Sequence, residues 1–63
     1  MKESALIEEF YETGNLPALD FLLDWRNHLE KMKINSNRIE YYNLEIAATD
    51  FLIAMYKWKA YSN

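Results

Sequence analysis

Apolar and polar residues alternate along this chain at helical spacing in three segments, separated by two short polar breaks. In the first segment, Ser4 to Thr13, Leu6, Ile7, Phe10 and Tyr11 recur at i, i+3 and i+4, with Glu8, Glu9 and Glu12 on the opposite face. Ser4 suits the cap position and Gly14 the left-handed position that ends many helices, so the spacing predicts a short helix here. A helix this short is not stable alone.

The break Gly14-Asn15-Leu16-Pro17 separates it from a second predicted helix over Pro17 to about Met32. Proline fits a first helical turn, where its missing N–H is not needed, and Asn15 or Leu16 would then be the cap. Ala18, Phe21, Leu22, Trp25, Leu29 and Met32 form the main apolar face, widened by Leu19 and Leu23. Asp20, Asp24, Asn27 and Lys31 lie opposite. Acidic residues early and Lys31 and Lys33 late both suit the helix dipole.

After the polar turn Lys33 to Asn37, Asn37 and Glu40 have the spacing of a capping box opening a third helix, Ile39 to Tyr61. This stretch has no glycine or proline, and at 1.5 Å per residue it extends roughly 35 Å. Its apolar positions occupy two adjoining faces. Ile39, Tyr42, Ile46, Ile53, Tyr56 and Ala60 make one; Leu44, Ala48, Phe51, Leu52, Met55 and Trp58 make the other. A helix apolar over so wide an arc requires cover on more than one side. The short turn makes the second and third helices antiparallel, and the longer third helix leaves its far half to the first helix or to another molecule. No internal repeat, low-complexity tract or strand-like alternation interrupts this pattern. The expected fold is a single all-α domain over residues 1–63, a short N-terminal helix plus an antiparallel helical hairpin, forming a bundle through oligomerisation.

Length sharpens that expectation. A chain of 63 residues buries only about 60 % of the surface its unfolded form exposes. No cysteine is present to supply a disulfide or a cysteine-based zinc site, which leaves self-association or partner binding as the stabilising addition. The two Trp, three Phe and five Tyr exceed what one small core holds, and Trp and Tyr are enriched at interfaces.

The formal net charge is −3, unevenly spread. Up to Trp25, Lys2 alone stands against Glu3, Glu8, Glu9, Glu12, Asp20 and Asp24, which disfavours phosphate or anionic lipid along that half. The start Met1-Lys2-Glu3-Ser4 lacks the apolar run of a secretory signal, so a cytoplasmic location is expected. The richness in Asn, Ile, Lys and Tyr with little Gly, Pro or Arg resembles AT-rich bacterial or phage coding.

Candidate chemistry is sparse. His28, with Asp24 and Asp20 one and two turns before it, lacks the further ligands a metal ion needs. Ser4, Ser36 and Ser62 have no positioned base nearby in sequence, and Glu8, Glu9 and Glu12 make a solvated face rather than an acid/base pair in a cleft. Lys31, Lys33 and Arg38 cluster near the turn while Lys57 and Lys59 fall at the other end of the hairpin, so no continuous basic stripe serves nucleic acid. The uninterrupted apolar run Phe51 to Tyr56 falls far short of the roughly twenty residues of a membrane span. No catalytic residue, metal ligand or cofactor is expected.

What remains is the aromatic surplus. Trp25 falls in the main stripe of its helix and is expected in the core. Trp58, Tyr61, Met55, Phe51, Tyr41, Tyr42 and Tyr11 are the interface candidates. The expected function is a small non-catalytic protein–protein interaction module that binds or masks a larger protein, itself a homodimer. The alternative is a purely structural homo-oligomeric bundle, and a small DNA-binding regulator ranks third.

Overall fold

Ser4 caps the first helix and ties it to the third. The computed structural model describes the backbone of residues 4–61 and the side chains of residues 4–58. Its elements are helix α1 (Ala5–Thr13), helix α2 (Leu19–Ile34) and helix α3 (Ile39–Tyr61), with no strand among the described residues. The chain is therefore all-α, built on a helical hairpin.

The Ser4 hydroxyl accepts from the Leu6 amide at 3.2 Å and donates to Glu45 Oε1 at 2.9 Å. One side chain thus satisfies an open helix-end donor and fixes α1 against α3. At the other end, Gly14 takes φ +72° and its N–H bonds the Phe10 carbonyl at 2.8 Å, the left-handed stop expected of glycine.

α2 begins two residues later than the proline suggests. Leu22 N–H bonds the carbonyl of Ala18, which is the cap and offers no side-chain bond. Pro17 lies just outside the helix because its carbonyl is held elsewhere, accepting the Tyr56 hydroxyl of α3. Neither Asn15 nor Leu16 caps α2. Its C-terminal end extends to Ile34, two residues past Met32, and Asn35 closes it through backbone bonds to Met32 and Lys33. α3 opens at Ile39, where Tyr42 N–H bonds the Arg38 carbonyl. Arg38 thus stands at the cap position, its own N–H held by the Ser36 hydroxyl at 3.0 Å. Asn37 sits one residue too early to form the expected capping box with Glu40.

α2 runs antiparallel to α3, as the short turn requires. Tyr56 meets Pro17 at one end, Arg26 meets Asp50 in the middle, and His28 and Met32 share a hollow with Tyr42 at the other. α1 runs parallel to α3: Ser4 meets Glu45, while Phe10 and Gly14 adjoin Met55 and Trp58. α1 and α2 pack on α3 rather than on each other.

The core lies where the three helices converge. Leu22, Leu29, Ile46 and Leu52 are its buried apolar residues, joined by Thr49, whose hydroxyl donates to the Glu45 carbonyl at 2.8 Å. Leu52 and Thr49 point between α1 and α2 and are fully buried, whereas Ile53 is only half-buried. Phe21, placed by its spacing in the core, is half exposed at the mouth of the cleft between α1 and α2. That cleft stays open because the two helices flanking it do not meet. Trp25 is half-buried on the same side, its ring stacked between Phe21 at 6.4 Å and His28 at 5.5 Å, with Nε1 enclosed and without a hydrogen-bond partner.

Candidate protein-interaction surface

Two sides of α3 face α1 and α2, and a third is largely exposed. Glu45, Ala48, Leu52 and Met55 lie toward α1; Tyr42, Ile46, Thr49, Ile53 and Tyr56 lie toward α2. Along the remaining arc run Leu44, Ala47, Phe51, Ala54 and Trp58, all exposed, at alternating steps of three and four residues. This is the heptad spacing of a helix–helix seam. It extends roughly 21 Å along the helix.

The interface candidates divide between this seam and its surroundings. Trp58 is 73 % exposed and Phe51 48 %. Tyr11 of α1, 66 % exposed, borders a shallow depression that also takes in Ile7, Leu44, Ala47, Ala48 and Phe51. Met55 is half-buried and joins Trp58, Phe10 and Leu16 around a second hollow. Tyr41 and Tyr42 are apart from these, near the start of α3. Their rings meet edge to face at 5.1 Å, and the Arg38 guanidinium lies 5.0 Å over Tyr41. Tyr42 is half-buried toward α2, so only Tyr41 of the two is exposed. Tyr61 lies outside the described side chains.

Sequence reasoning did not single out the exposure of Phe21, Leu19, Leu23, Leu44 and Ile34. Leu44 was detectable in the heptad step to Phe51 and Trp58. Phe21 was not, since its spacing matches that of its half-buried neighbour Trp25.

The polar surroundings are modest. Beside the seam lie Asn43, Asp50 and Lys57, also seven residues apart and all exposed. Asp50 pairs with Arg26 at 2.5 Å through two hydrogen bonds. That hydrogen bond, with the opposite charge, raises the Arg26 pKa above its ordinary value. Lys57 has no ion pair among the described residues. No group of three or more metal-ligating side chains occurs among them, and His28 is exposed with its ring on Trp25. No helix is long and apolar enough to cross a membrane among the described residues.

The accessible surface is 5110 Å² for 7.6 kDa. A compact monomer of that mass exposes roughly 4300 Å². Large apolar side chains are among the exposed residues, the opposite of what burial favours.

Fold and surface together define a small all-α protein, a helical hairpin with the short helix α1 alongside, carrying an exposed apolar seam. No protein-family model, curated protein or solved structure matches the chain.

Proposed function

We propose that this chain is a non-catalytic protein–protein interaction module that binds or masks a larger protein partner in the cytoplasm. The observation that carries the reading is the exposure of large apolar side chains on two separate surfaces. One is the α3 seam with Tyr11 beside it; the other is the cleft edge at Phe21, between α1 and α2. Aromatic residues set in a mostly polar surface are the usual anchors of protein interfaces. The cleft is lined by Leu6, Phe10, Leu16 and Pro17, with the carboxylate of Glu9 at its rim. An apolar side chain with a cation beside it, from a partner's helix or loop, matches that composition.

The heptad spacing of the seam favours a second reading, a structural homo-oligomer that satisfies its own apolar surface. Affinity purification of the tagged chain from its native host separates the two. The module reading expects a stoichiometric heterologous protein whose recovery falls when Phe21→Glu is introduced, with circular dichroism unchanged. Recovery of the chain's own copies alone would overturn it in favour of the homo-oligomer.

A further inference from the structure

We infer that the α3 seam is covered by a second copy of this chain, packed antiparallel, leaving the α1/α2 cleft for the larger partner. The inference rests on reading the seam as an interaction surface. Two observations select this occupant.

The first is shape. Large and small side chains alternate along the seam: Leu44, Ala47, Phe51, Ala54, Trp58. When two such helices run antiparallel with Phe51 level with Ala54 of the other copy, Trp58 comes level with Ala47 of the other copy. Each bulky ring then stands over an alanine, as packing of knobs into holes requires, and symmetry doubles both contacts. A parallel pair in register sets Phe51 on Phe51 and Ala54 on Ala54, which crowds one layer and leaves the next hollow.

The second is charge. In the same antiparallel register, the nearest flanking residues across the pair are Asp50 of one copy and Lys57 of the other, twice over. Lys57 has no ion pair within its own chain among the described residues, and Asp50, though held by Arg26 through two hydrogen bonds, is exposed. Opposite charges at flanking positions set the partner and direction of paired helices.

The test uses the full chain in sedimentation at increasing concentration, with circular dichroism as the control for folding. A dimer is expected, and Ala54→Glu, at an exposed position, should weaken it at least about tenfold with helix content unchanged. Lys57→Glu alone and Asp50→Lys alone should each weaken self-association, while an equimolar mixture of the two should restore it, since every flanking pair is again of opposite sign. The chain has no cysteine, so Asn43→Cys offers one spin-label site. Labels on the two copies should lie about 30 Å apart, against under about 15 Å for a parallel pair. A monomer at all concentrations, an oligomer indifferent to Ala54→Glu, a mixture that does not recover, or a short label distance would each overturn the proposal. Loss of self-association with partner capture intact sinks this inference and leaves the module reading standing. Self-association without any captured partner does the reverse.

Discussion

Ser4 does two things that are separable by substitution. Its hydroxyl caps α1 and also donates to Glu45, and the residue is almost fully buried. Removing it leaves an open helix-end donor and deprives the half-buried Glu45 carboxylate of its bond. Ser4→Ala should cost about 1–2 kcal/mol in urea unfolding, the range of a lost cap. Glu45→Gln keeps an acceptor oxygen for the serine and should cost less. Equal losses for the two variants would mean that the cross-helix bond, and not the cap, dominates. The Arg26–Asp50 pair, by contrast, is exposed at both ends. Despite its short contact, an exposed pair of this kind contributes at most about 1 kcal/mol.

Helix α3 was legible from end to end, because twenty-three residues without glycine or proline leave its type in no doubt. Gly14 marked the end of α1 for an equally local reason. The start of α2 was not legible, since the position of Pro17 depends on Tyr56, far along the chain. Which positions of α3 are most buried was also hidden. Periodicity defines an apolar arc but not the directions from which α1 and α2 approach, and the strip of α3 between those two directions buries Thr49 and Leu52 ahead of Ile53. The heptad seam was present in the spacing, but it separated from the rest of the apolar arc only when both neighbours were in place. This geometry orders the core by consequence. Leu52→Ala should cost about 3–5 kcal/mol, at the upper end for such truncations, and Ile53→Ala clearly less. Chemical denaturation of both variants measures the difference. A larger loss for Ile53→Ala would place the convergence of the helices closer to α2 than described.

At the scale of the whole molecule, folding and association draw on different faces of one helix. Ile46 is buried toward α2, and Trp58 is mostly exposed at the far end of the seam. Truncating Ile46 should cost about 2–5 kcal/mol of folding stability, a large share of what so small a domain has. Truncating Trp58 should leave the fold of the isolated chain nearly intact and weaken association by about 2 kcal/mol or more. Thermal melting across a range of concentrations distinguishes the two. Because a bound copy stabilises the folded state by mass action, the melting temperature of the parent chain should rise with concentration. Ile46→Ala should lower it at every concentration, including the most dilute. Trp58→Ala should match the parent in dilute solution and lose only the rise. If Trp58→Ala instead melts as early as Ile46→Ala when dilute, the Trp58 ring belongs to the core with Phe10, Leu16 and Met55. The interaction surface then contracts to Tyr11, Leu44 and Phe51.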